Sequence, residues 1–93
     1  MDKKTCLETA INCVTQDRQN DYGTPENNFA TIANYWNNYM SSTGNEVVFS
    51  PADVAVMMGL LKVARMASSP RKADNYIDAA GYFAIAAELT DSK

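Results

Sequence analysis

Ser50-Pro51-Ala52-Asp53-Val54-Ala55-Val56-Met57-Met58-Gly59-Leu60-Leu61-Lys62-Val63-Ala64-Arg65-Met66-Ala67 is the stretch on which the fold of this chain turns. A capping serine, a proline at the first helical position and an acid three residues after the cap make a strong helix start. From Val54 to Ala67 the only charges are Lys62 and Arg65, so the helix is apolar on every side and is expected to be buried on every side. Ser68-Ser69-Pro70 stops it. Asp74 is the expected cap of a further helix running to about Leu89, rich in Ala79, Ala80, Gly81, Ala84, Ala86 and Ala87. Small residues permit close approach of a neighbouring helix, and Gly81 costs about 1 kcal/mol of helix propensity unless that closeness repays it.

Upstream lie two more helices. Thr5-Cys6-Leu7-Glu8 has the capping-box spacing, and Leu7, Ala10, Ile11 and Val14 follow a helical period. The periodicity fails after Gln16, and the polar stretch Asp17 to Gly23 reads as a loop. Thr24-Pro25 opens the next helix, with Phe29, Ile32, Ala33, Trp36 and Met40 on one stripe. No charge occurs between Asn27 and Asn45, although Asn27, Asn28, Asn34, Asn37, Asn38, Tyr35 and Tyr39 are all there. Such an amide-and-tyrosine face suits either a subunit interface or an ordinary wet surface. Ser41 to Asn45 is turn-forming, and Glu46-Val47-Val48-Phe49 is expected to run extended with its apolar residues tucked against the helices. The expectation is an all-α, compact four-helix domain that oligomerises, a single unit over 1–93 with helices at about 5–16, 25–40, 51–67 and 74–89.

With 93 residues the chain is one domain's worth, near the size at which oligomerisation helps a fold. No apolar run approaches the roughly 18–20 residues of a membrane span, and Met1-Asp2-Lys3-Lys4 leads into no signal-peptide stretch. The absence of histidine rules out His-based acid–base catalysis and Cys₂His₂ zinc sites. A formal charge of −3 argues against duplex DNA as a partner. Cys6 and Cys13 are about 10 Å apart along one helix, too far to bridge, and read as small buried apolar residues.

The charges converge in one place. Lys62, Arg65, Arg71 and Lys72, four of the eight basic residues, fall within positions 62–72, and no acid lies between Asp53 and Asp74. Burying unpaired cations is costly, so something must compensate Lys62 and Arg65. If the last two helices are antiparallel, Asp74 and Asp78 can lie beside them; an anionic ligand is the other compensation, and the two can combine. Asp53, Asp74 and Asp78 are the conceivable metal ligands, with capping the competing role for Asp53 and Asp74. Tyr76 and Tyr82 read as core aromatics whose hydroxyls find partners.

Read together, Arg18-Gln19-Asn20-Asp21-Tyr22-Gly23-Thr24-Pro25-Glu26-Asn27-Asn28-Phe29, Asp53-Val54-Ala55-Val56-Met57-Met58 with Leu61-Lys62-Val63-Ala64-Arg65, and Lys72-Ala73-Asp74-Asn75-Tyr76-Ile77-Asp78-Ala79-Ala80-Gly81-Tyr82 give a recognisable pattern. It resembles a small helical domain family carried by tailed phages and prophages, over nearly the whole chain. The resemblance implies a phage protein acting in the cytoplasm of an infected or lysogenic bacterium, and marks Arg18, Tyr22, Lys62, Arg65, Lys72, Asp74, Asn75 and Asp78. Cations for phosphate, Asp and Asn for base or ribose edges and an aromatic to stack suit a nucleotide. The expected function is therefore binding of a phosphate-bearing nucleotide by a homo-oligomer without catalysis or cofactor. By analogy with small phage sequestering proteins, the ligand would be a host immune signal and the role anti-defence. The competing expectation is a nucleoside triphosphate pyrophosphohydrolase using Mg²⁺, similar to the all-α MazG-like enzymes. Those need E-x-x-E and E-x-x-D on two helices, whereas here Glu26 is followed by Asn27 and Asn28, and the last helix has Asp74-x-x-x-Asp78.

Overall fold

The computed structural model describes residues 1–17 and 25–91, with side chains placed except at 16, 17 and 25–27. The described residues are all-α: α1 (Lys3–Asn12), which runs on into a π-helical segment (Cys13–Asp17), α2 (Pro25–Ser42), α3 (Pro51–Ser68) and α4 (Ala73–Asp91). The loop expected between Asp17 and Gly23 lies, Asp17 apart, outside the described residues, as does the Thr24 cap.

Helix α1 starts earlier than its capping-box spacing suggests. The Asp2 carboxylate accepts a hydrogen bond from the Thr5 backbone N–H at 2.8 Å, so Asp2 is the cap and Thr5 is already helical. Hydrogen bonding from Thr5 holds the Asp2 carboxyl below its ordinary pKa. Of the expected apolar stripe, Ala10 is buried and Val14 packs on the core, while Leu7 and Ile11 are exposed. Helix α1 therefore rests on α4 along a narrower strip than four apolar positions would give. The contact is close: a Cβ on Gly81 would come within 2.9 Å of Val14 Cγ1, which is the proximity the small residues of α4 allow.

Helix α3 begins with the full capping box, Asp53 N–H donating to Ser50 Oγ at 3.1 Å and Ser50 N–H to the Asp53 carboxylate at 2.9 Å. It runs antiparallel to α4, since Lys62 meets Asp78 while Gly59 lies against Phe83. Helix α4 begins at Ala73, so Asp74 sits inside its first turn rather than at the cap. There its charge favours the positive end of the helix dipole without bonding an end amide as a cap would. The core joins Phe29 and Ala33 of α2, Val54 and Ala55 of α3, and Tyr82, Ile85 and Ala86 of α4, with Ile32, Trp36, Met58 and Leu89 packed around them.

The link from α2 to α3 turns at Gly44, whose φ of 84° favours glycine. It is then clasped by one side chain: Asn37 Nδ2 donates to the Phe49 carbonyl at 3.0 Å and Asn37 Oδ1 accepts from the Phe49 N–H at 2.6 Å. The Phe49 ring meets Trp36 edge-on, with centroids 6.0 Å apart. Phe49 alone of the connector's apolar residues is held in this way; Val47 and Val48 are exposed.

The larger departure concerns α3 itself. Val54, Ala55 and Gly59 are buried, but Val56, Met57, Leu60, Leu61 and Val63 are exposed. Helices α2 and α4 cover only the inner half of this rod. At Gly59 the fit is tight, since a Cβ there would clash with the edge of the Phe83 ring. Alanine normally gains about 1 kcal/mol over glycine in a helix interior. Gly59→Ala is instead expected to lower stability by about 1 kcal/mol as the ring is displaced. A higher thermal midpoint for Gly59→Ala would mean that the ring swings aside freely.

Candidate functional site

Of the residues singled out from sequence, the structure brings Lys62 and Asp78 into contact. Arg18 and Tyr22 lie outside the described residues. Lys62 Nζ and Asp78 Oδ2 form an ion pair at 3.0 Å, with the two side chains 16% and 25% exposed. Two favourable charges in a half-dry setting satisfy each other, so the chain's own carboxylate is the partner of this cation. The space beside Asp78, lined by Cys13, Val14, Ile77, Gly81 and Tyr82, is a cavity of about 10 Å³, room for a water and not for a nucleotide.

Arg65, one turn on, is exposed and has no carboxylate within ion-pair distance among the described residues. Asp74 is exposed as well, so the expected second pair does not form. Asn75 is buried, its backbone N–H donating to the Lys72 carbonyl at 3.2 Å. Asp53 serves the cap of α3, at the far end of that antiparallel helix from Asp74. Accordingly Asp53, Asp74 and Asp78 do not gather, and among the described residues no three Asp, Glu or Cys side chains are placed to share a metal ion.

A different arrangement exists where the start of α1 meets the α3–α4 connection. Met1, Asp2, Lys3 and Cys6 face Arg71, Ala73 and Tyr76 across a groove of about 430 Å³. Its size falls within the range of small-molecule sites. Tyr76 is exposed rather than core; its hydroxyl donates to the Pro70 carbonyl at 2.9 Å, which fixes the ring beside the turn carrying Arg71 and Lys72. The groove is thus lined by Lys3 of α1, Arg71 of the connection and the aromatic Tyr76. Asp2, its one acid, is engaged in capping α1. The cysteines are half-exposed free thiols and not buried, and Cys6 lies on the groove wall.

Arg71 was visible in sequence as part of the basic run, whereas Tyr76 reads there as a core aromatic and is exposed. Lys3 gives no signal of its own, because its place depends on how α1 docks. A second groove of about 380 Å³, lined by Thr31, Asn34, Tyr35 and Asn38, lies on the uncharged face of α2 and carries no cation. No described helix is long and apolar enough to cross a membrane.

Two curated relatives match the chain over 79 residues, 85% of its length. They are the Gene 55 protein of Mycobacterium phage L5, 39% identical, and the Gene 55 protein of Mycobacterium phage D29, 34% identical. The match covers 48% and 49% of those proteins, so the chain spans about half the length of the curated relatives it matches. No solved structure matches it. The profile of DUF6378, a domain of unknown function, covers residues 5–90, and the chain belongs to that family of small helical domains with phage-encoded members.

Proposed function

We propose that this phage-family domain binds a phosphate-bearing nucleotide in the groove between α1 and the α3–α4 connection, holding it without turnover in the cytoplasm of the bacterial host. The observation that carries the reading is the groove itself: Lys3 and Arg71 from separate elements line it together with the exposed Tyr76. Arginine offers phosphate a planar two-pronged donor, lysine a point charge, and a tyrosine face stacks any base. Arg65 and Lys72 add positive potential at the same end of the molecule and leave the ion pair inside the helix bundle to do structural work. Binding is favoured over hydrolysis because holding Mg²⁺ on a triphosphate takes several converging carboxylates, and the described acids point to separate tasks.

The test is a panel of nucleotides, linear and cyclic, with Mg²⁺ present, followed by thermal melting and by chromatography of the ligand. At about 100 times Kd a ligand adds about 2.7 kcal/mol, which in a domain of this size raises Tm by roughly 10 °C or more. The expected result is such a shift with one class of nucleotide, the ligand recovered intact. Arg71→Ala is expected to remove the shift and to leave the unliganded midpoint unchanged, because Arg71 is exposed. Released pyrophosphate would replace the reading with the hydrolase, and no shift with any nucleotide would end it.

A further inference from the structure

The groove between α1 and the α3–α4 connection has two cations, Lys3 and Arg71, but a single acid, Asp2. The Tyr76 hydroxyl is taken up by the Pro70 carbonyl. Apart from the weakly accepting sulfurs of Met1 and Cys6, Asp2 is therefore the side-chain acceptor that this groove offers. An ionised carboxylate has two oxygens with about four lone-pair sites and no proton to donate. Bonds from Thr5 use part of that capacity and fix the group at the start of α1. They also hold its pKa below the ordinary value, so that it is charged at neutral pH. Asp2 is exposed, and among the described residues no cation lies within ion-pair distance of it. Its remaining lone pairs are open to a ligand.

A carboxylate in a phosphate-binding groove has to face some other part of the ligand, because the two anions repel. Resting on the reading that the groove takes a nucleotide, we propose that the base is guanine, with the Asp2 carboxylate accepting from its N1–H and its N2 amino group. Guanine carries these two donors side by side on its Watson–Crick edge, matched to the two oxygens of one carboxylate. Adenine and cytosine set one amino donor beside a ring nitrogen whose lone pair would meet the second carboxylate oxygen. Uracil and thymine have a single N–H between two carbonyls. Guanine alone gives the carboxylate two charge-assisted bonds and no opposed lone pair. The phosphates then fall to Lys3 and Arg71, and the chemistry of the groove orients the ligand from end to end. A two-bond match of this kind discriminates between bases by about tenfold or more in affinity.

Equilibrium dialysis of the purified chain against GDP, IDP, ADP, CDP and UDP reads the base directly. GDP is expected to bind about tenfold more tightly than ADP, CDP or UDP. IDP, which keeps N1–H and lacks the N2 amino group, should fall in between. Asp2→Asn separates the two duties of the side chain. Asparagine caps a helix as well as aspartate does, so the thermal midpoint of the unliganded variant should hold. Its amide sets a donor where an acceptor was, so GDP should lose about tenfold in affinity and drop to the level of ADP. Equal binding of GDP and ADP by the native chain, or a preference for GDP that survives Asp2→Asn, would overturn the guanine assignment. In either case nucleotides would still bind and Arg71→Ala would still weaken them, which keeps this failure distinct from that of the groove. Binding of none of the five would overturn both.

Discussion

Phe29→Ala is expected to remove about 3–4 kcal/mol of folding stability, from the roughly 5–14 kcal/mol a chain of 93 residues holds. Phe29 is 2% exposed and is the largest wholly enclosed side chain among the described residues. Its ring lies 6.1 Å from that of Tyr82, tilted by 41°, and it is the side chain through which α2 reaches α4. Truncation loses the transfer free energy of the ring, the aromatic contact, and the packing around a cavity that Val54 and Ile85 are too short to refill. Chemical denaturation should show the loss as a lower midpoint at unchanged slope. Tyr35→Ala on the same helix is the control: at 72% exposure it should change stability by no more than about 0.5 kcal/mol. Comparable losses for the two would mean that α2 is not anchored through Phe29 at all.

How far the molecule could be read from its sequence follows a physical division. Local signals were legible: Ser50 and Asp53 cap α3 through bonds that both partners of a capping box make, and Gly81 does mark a close helix contact. The antiparallel placement of α3 and α4 was legible too, because a four-residue connection leaves little choice, and with it came Lys62 beside Asp78. What stayed illegible was whatever depends on which side of a helix the rest of the chain covers. Periodicity shows that α3 is apolar all round but not that one chain is too small to surround it, so the outer residues from Val56 to Val63 stand exposed. Leu7 and Ile11 fail for the same reason. For the candidate site, charge clustering pointed to Lys62, Arg65 and Lys72 around the α3–α4 end, and the structure pairs Lys62 with Asp78. The open cations are those of the connection, and the third member, Lys3, comes from a helix whose docking no local pattern encodes.

Asp78→Ala is expected to cost about 2–3 kcal/mol, somewhat less than breaking a fully buried ion pair because the two side chains keep 16% and 25% of their exposure. The loss comes from Lys62, whose ammonium is left in a half-dry setting without its carboxylate. Lys62→Met should cost less, about 1 kcal/mol, since methionine fills the same volume and the more exposed Asp78 can draw on water. Lys62→Met/Asp78→Leu is then expected near the native stability, because removing both charges cancels the desolvation penalty along with the attraction. The signature is therefore non-additivity: a coupling energy above about 1 kcal/mol in the double-mutant cycle, well beyond the scatter expected of independent sites. The cycle also decides what the cation is for. If Lys62 serves the fold, the double variant melts like the native chain and any nucleotide that stabilises the native chain stabilises it equally. If Lys62 instead awaits an anion, Lys62→Met raises the stability of the unliganded chain by relieving an unmatched charge, and the nucleotide-induced shift disappears with it.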